Sequence, residues 1–329
     1  MTHVPRIARV LSSGEIMSIP NAGFARCVAW GSVLVAALAP AAVFACACGC
    51  GVFDVGTASM FPQHAGGMVF LEYDYMDQNK NWSGTSQALA DNNADKRIRT
   101  SFMNVGLHYQ FDRAWGVQVE LPYWKRYFQT TDADTGDLVD FTHGAVGDVR
   151  LKGVYTGFSD DMSTGITFGL KLPTGDSTYG NFDPDTEIGS GSTGALLGAY
   201  HLGTVDSEGK WRYFLQAQWD QTIAHKAAYR PGNDLVATAG AYYEGWDVSP
   251  SVRIAPVMQL SASYRGHDGG DLGHPEDSGY TRLLVTPGIE VDAGKFSAYV
   301  DVGLPVLVNA SGNQLVSSQF WRANLSYHF

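Results

Sequence analysis

Between Ala145 and Pro173 the sequence alternates apolar and polar residues twice in succession, and this double alternation narrows the architectures open to the chain. In the first limb Val149, Leu151, Gly153 and Tyr155 share one parity, and Asp148, Arg150, Lys152 and Thr156 share the other. Side chains of a strand point to opposite faces with period two, so one face is oily and the other charged. In the second limb Ile166, Phe168, Leu170 and Leu172 alternate with Thr167, Gly169 and Lys171, and the polar segment from Ser159 to Thr164 is short enough for a hairpin connection. In a soluble sandwich the oily face meets a second sheet. In a membrane barrel it meets lipid, while the charged face lines the interior. The pattern recurs along the chain with aromatics near strand ends, which is the membrane-barrel arrangement.

The bulk properties fit one large all-β domain. The chain has 329 residues, a net charge of -11 and 45% hydrophobic residues, too hydrophobic for a disordered chain. A mean hydropathy of -0.11 looks soluble, but barrels escape such averages because every second strand residue faces water. The net negative charge argues against a nucleic-acid partner, and none is expected. All four cysteines, Cys27, Cys46, Cys48 and Cys50, precede residue 51, which leaves the body free of thiols, as suits an oxidising compartment.

The N-terminus reads as a leader. An apolar run from Val28 to Ala45 follows Arg26, is interrupted by Pro40 and ends in small residues, as a secretory signal does. The polar stretch before it makes Met17 the expected start. The expected division is an extension and signal over 1–45, a cysteine-containing periplasmic segment over 46–65 and a transmembrane barrel over 66–329. In the middle segment Cys46, Cys48 and Cys50 lie on alternate residues. Three such thiols suit one soft metal ion, or a disulfide with one thiol over, or no specific role, and lipidation of Cys46 is a further reading.

Strands are expected at about 67–76, 100–111, 116–129, 145–157, 164–173, 192–202, 210–222, 234–246, 254–265, 279–291, 295–306 and 318–329. That gives about twelve, an even number as in single-chain bacterial barrels. Long polar links (77–98, 130–144, 174–191, 223–233, 266–278, 307–316) alternate with short ones (112–115, 158–163, 203–208, 247–252, 292–294). Such alternation assigns surface loops to one rim and periplasmic turns to the other, with both chain ends on the periplasmic side.

The last strand puts Trp321, Ala323, Leu325, Tyr327 and Phe329 on one parity and Arg322, Asn324, Ser326 and His328 on the other. It resembles the C-terminal strand of bacterial outer-membrane proteins, and that resemblance implies that the assembly machinery reads it through Phe329. The stretch Gly147-Asp148-Val149-Arg150-Leu151-Lys152-Gly153-Val154-Tyr155, followed by Gly169-Leu170-Lys171-Leu172-Pro173-Thr174-Gly175-Asp176, resembles the outer-membrane family labelled "MetA-pathway of phenol degradation". This resemblance implies a channel or transporter in the outer membrane of a Gram-negative bacterium.

On the expected inner parity lie Glu72, Asp74, His108, Glu120, Asp148, Arg150, Lys152, Lys171, Arg212, Asp220, Arg282, Glu290, Asp301, Arg322 and His328. Arg or Lys facing lipid at mid-depth costs about 2 to 4 kcal/mol, which explains their confinement to one face. A wall so charged either sets solute selectivity or ties itself together as a ladder of ion pairs. Arg150, Lys152 and Lys171, with Arg212 two strands on, form a positive stripe suited to small anionic or aromatic solutes, unless Glu120 and Asp148 neutralise it. Two other functions are legible in outline. The loop carboxylates Asp132, Asp134, Asp137, Asp140, Asp176, Asp183, Asp185 and Glu187 suit a hard cation or form a solvated surface. Ser326 and His328 share a parity beside Asn324, the best hydrolytic arrangement in the chain, but residues two apart on a strand sit about 6 to 7 Å apart at the backbone. The expected function is passage of small solutes, with no enzyme activity and no cofactor; the alternative is a structural or metal-associated barrel using the cysteine segment.

Overall fold

A computed structural model describes residues 61–329 apart from 63, 227 and 245. The expected signal and the cysteines at 27, 46, 48 and 50 lie outside the described residues.

The fold is an all-β, closed, antiparallel barrel. Its wall runs in chain order through β1 (Gly66–Gly84), β3 (Asp95–Gln110), β4 (Trp115–Thr131), β6 (Arg150–Tyr155), β7 (Thr164–Lys171), β8 (Thr193–Thr204), β9 (Trp211–Ala224), β10 (Asp234–Tyr243), β12 (Val252–Arg265), β13 (Tyr280–Ala293) and β14 (Phe296–His328). Three short elements extend it: β2 (Ser86–Gln87) on β1, β5 (Leu138–Val146) on β4, and β11 (Trp246–Ser249) on β12. Each wall element pairs with its neighbour in sequence. The ring closes where β1 meets β14, from Met68 opposite His328 to Gly84 opposite Ala310. Closure removes every edge, so each ladder hydrogen bond inside the wall is satisfied without water.

Several boundaries depart from the sequence expectation. Residues 307–316, read as a long polar loop, belong to β14. Residues 296–310 of that element pair with β13 and residues 310–328 pair with β1, with Gly312 at φ 64° between them. The polar residues there lie along a hairpin that rises beyond the wall, where alternation of side chains no longer tracks lipid. The expected single strand 145–157 is instead two. β5 pairs Val146 with Tyr123 and β6 pairs Arg150 with Glu120, one residue out of register, so residues 147–149 bulge from the ladder. Much of 130–144 forms β5, leaving a turn at 132–137 whose first carboxylate, Asp132, accepts bonds from the Asp134 and Thr135 amides.

The outer surface is apolar along the middle of the wall: Val69, Leu71, Val105, Leu107, Val119, Leu121, Phe168, Leu170, Leu260 and Leu325 are all exposed. At the rim where β1 begins and β14 ends, rings gather in pairs, each an exposed ring on a half-buried tyrosine: Trp115 with Tyr155 at 4.7 Å, Trp211 with Tyr243 at 4.9 Å and Phe296 with Tyr327 at 4.9 Å. An apolar band bordered by aromatics is the surface of a barrel that sits in lipid. The ends meet at this rim through reciprocal amide bonds between Gly67 and Phe329 of 3.0 and 2.8 Å.

Candidate functional site

The inward side chains divide the lumen into a filled side and an open side. On the filled side, Leu284 of β13 and Phe320 of β14 pack against Met76 of β1 and Phe102 of β3, and Arg282 lies over the rings of Tyr280 (4.6 Å) and Phe320 (4.9 Å). Below them Asp301 accepts from Tyr299 Oη at 2.7 Å and from Arg322 Nε at 3.1 Å, and Gln259 donates to the Tyr299 hydroxyl. Asp301 and Arg322 are both buried. A buried pair of this kind survives because each charge has fixed partners.

On the open side, along β4 and β6 to β9, the inner row contains Gly169, Gly194 and Gly198. A Cβ on Gly169 would lie 2.0 Å from the Leu151 carbonyl oxygen, and one on Gly198 would lie 2.4 Å from Thr167 Oγ1. On this side lies a chamber of about 180 Å³, with Gly198 in its lining. Of the expected inner residues, Glu72, Asp74, His108, Glu120, Asp148, Arg150, Lys152, Lys171 and Asp220 line it. Arg282, Asp301 and Arg322 belong to the filled side. Glu290 and His328 line a second cavity of about 540 Å³ at the rim of the chain ends. Arg212 is half-buried on β9, with Nη1 3.7 Å from Glu244.

The positive stripe is cancelled in place. Lys152 Nζ lies 2.7 Å from Glu120 Oε1, Arg150 Nη1 lies 3.7 Å from the other oxygen of Glu120, and Lys171 pairs with Asp220. Asp148 takes no part in this neutralisation. Its carboxylate, displaced by the bulge at 147–149, accepts from the amides of Gly175 and Ser190 (both 3.0 Å) and from the Ser190 hydroxyl. It therefore holds the 172–192 loop, a role that parity cannot reveal because the bulge breaks the register.

That loop covers one end of the chamber. Fully buried Arg126 of β4 bonds Thr100 Oγ1 at 3.0 Å and donates to the carbonyl oxygens of Thr186 and Glu187. His143 stacks on Tyr179 at 3.8 Å and lies 3.0 Å from Asp176, and Phe182 packs against Phe128 at 5.5 Å. Burial in this layer pushes Glu187 up to about 7 and Tyr179 up to about 12, since both charged forms lose water. Arg126 was absent from the expected inner set although it shares the parity of Glu120; its position near a strand end disguised it as a rim residue.

The other end is closed by Phe61, from the segment expected before the barrel. Its ring lies 4.7 Å from Tyr200 and 6.0 Å from Phe214, within a cluster that includes Tyr242 and Tyr299. The remaining chemical expectations find little support in the geometry. Ser326 Oγ donates to the Ser297 carbonyl oxygen at 3.4 Å rather than engaging His328. Among the described residues no group of three His, Cys, Asp or Glu side chains is arranged to hold a metal ion.

No family model matches the chain, and no curated protein matches it in sequence. Among solved structures, the chain is similar to an outer membrane channel from Pseudomonas putida F1, at 16% identity and a TM-score of 0.60, over 84% of this chain and 100% of that one. It is also similar to the β-domain of the Bordetella autotransporter BrkA, at 12% identity and a TM-score of 0.49, over 80% and 100% of the two chains. The first of these likenesses agrees with the closed ring and the lipid-facing band: the fold is that of a bacterial outer-membrane β-barrel.

Proposed function

We propose that the protein is an outer-membrane channel or transporter that passes small solutes, placed in a Gram-negative outer membrane with the rim of the chain ends towards the periplasm. The carrying observation is the chamber. It is lined by both charged and apolar side chains, lies inside a lipid-facing wall, and is shut at one end by the 172–192 loop and at the other by Phe61. A barrel serving only as a scaffold has no use for an enclosed chamber lined with charged groups. Neither closure belongs to the hydrogen-bonded ladder, so opening either leaves the wall intact. The fold-back of β14 at Gly312 supports counting the wall as twelve strands, an even number that returns both ends to one rim. Residues 66–329 are then the transmembrane unit, Phe329 the mark read by the assembly machinery, and the inner charged residues lining the chamber its solute-facing wall. The resemblance of the 147–176 hairpin to the phenol-pathway family agrees with this reading.

Conductance of the purified protein in planar bilayers tests it. Discrete openings in salt, with flux of small solutes into liposomes, are expected. A correctly folded protein with neither conductance nor flux overturns the proposal in favour of a structural barrel.

A further inference from the structure

Eight carboxylates line the chamber, Glu72, Asp74, Glu120, Asp148, Asp185, Glu187, Asp220 and Asp234, against four cations, Arg150, Lys152, Lys171 and Arg265. The four cations are already engaged. Glu120 takes Arg150 and Lys152, Asp220 takes Lys171, and Arg265 is held by Asp234 at 3.0 Å and Asp268 at 2.8 Å. Arg322, opposite Asp74 in the β1–β14 register, pairs with Asp301 and adds a fifth cation that also acts on Glu72 and Asp74, which still leaves fewer cations than carboxylates. The surplus in the chamber is therefore negative, and low-dielectric walls concentrate its field on whatever enters.

Two lining carboxylates carry the point further. Asp74 and Asp220 are 2% and 6% exposed, and Oδ1 of each has no hydrogen-bond partner. A buried acceptor left unsatisfied is costly, and a donor supplied by a ligand removes that cost. The apolar part of the lining includes the rings of Phe61, Phe70, Trp124 and Tyr200. Ring faces attract cations and also accept an apolar body. The chamber volume, about 180 Å³, is close to the roughly 150 Å³ engineered cavity that admits benzene.

Building on the channel reading, we infer that the solute class is a small organic cation, about one ring in size and carrying an ammonium group. The ammonium donates to one of these two carboxylates, Asp74 on β1 or Asp220 on β9, while the ring lies among the aromatics. Small aromatic carboxylates, the solutes a positive stripe would favour, meet a carboxylate surplus instead.

The test uses the full chain in liposomes and three probes of similar size: benzylammonium, benzyl alcohol and benzoate. Benzylammonium is expected to cross fastest and benzoate slowest, by roughly tenfold or more at low salt, with the preference shrinking as salt rises. Asp74→Asn, checked for folding by resistance to unfolding in detergent, is expected to bring the three rates several-fold closer together. Benzoate crossing as fast as benzylammonium overturns the inference while leaving the channel reading intact. So does cation-directed conductance in potassium chloride with benzylammonium excluded, which assigns the chamber to inorganic ions. Absence of any conductance or flux instead sinks the channel reading itself.

Discussion

The two sides of the lumen are built from strands with the same alternation, yet one is filled and the other hollow. Along β13 and β14 the inner parity carries Arg282, Tyr299, Asp301 and Phe320, long side chains that reach the axis and satisfy one another. Along β7 and β8 it carries Gly169, Gly194 and Gly198, and Lys171 pairs with Asp220 along the wall beside the chamber. Alternation decides which face meets lipid. Residue volume on the inner face decides whether there is a path.

If the filled side is the structural half, its network should be the most costly to break. Asp301→Ala removes the carboxylate that holds buried Arg322 and is expected to cost about 3 to 5 kcal/mol. Urea titration of the folded barrel reads the loss, and a variant as stable as the wild type refutes the division. Arg126→Ala comes next. Loss of its bonds to the loop carbonyls is expected to cost about 1.5 to 3 kcal/mol of loop docking and to raise open probability in bilayers, with the wall intact. On the hollow side, Gly198→Leu inserts a side chain where a Cβ already meets Thr167. It is expected to cost about 1 to 3 kcal/mol and to cut conductance sharply, whereas a substitution at Leu284 of the filled side should leave conductance alone.

The smallest expected effect is on pH dependence. Glu187 is held up to about 7 by burial in the docked loop, so docking favours its neutral form. That contribution is complete below the ordinary carboxylate range and is lost as pH rises through about 7. Burial raises Asp183 in the same direction. Open probability should therefore increase between about pH 5 and 8. Glu187→Gln should flatten the increase, and an increase unchanged in the variant would remove Glu187 from the closure.

The sequence carried the wall well because lipid on one side and water on the other impose period two, and that period survives in Val149 to Tyr155 and in Trp321 to Phe329. It carried the rims poorly. Beyond the lipid band the alternation loses its cause, so residues 307–316 and 138–144 read as loops although they are strands. The inner charges were legible as inward, but their pairing was not. Lys171 and Asp220 come from strands 49 residues apart, and only the register of β7, β8 and β9 brings them together. Asp148 shared the inner parity with Lys152 and Arg150, yet the bulge beside it turned it to the loop. Phe61 had no strand pattern to place it, and its partners Tyr200 and Phe214 are found through packing alone.

The central claim, a solute path on the β7 to β9 side and none along β13 and β14, is tested most directly by cysteine accessibility. The barrel has no native thiol, so the four N-terminal cysteines can be replaced by serine and single cysteines introduced at Gln218 on the hollow side or Leu284 on the filled side. A cationic methanethiosulfonate reagent added during bilayer recording should block Gln218→Cys quickly and leave Leu284→Cys unaffected. Equal block at both positions, or block at Leu284→Cys alone, would contradict the account.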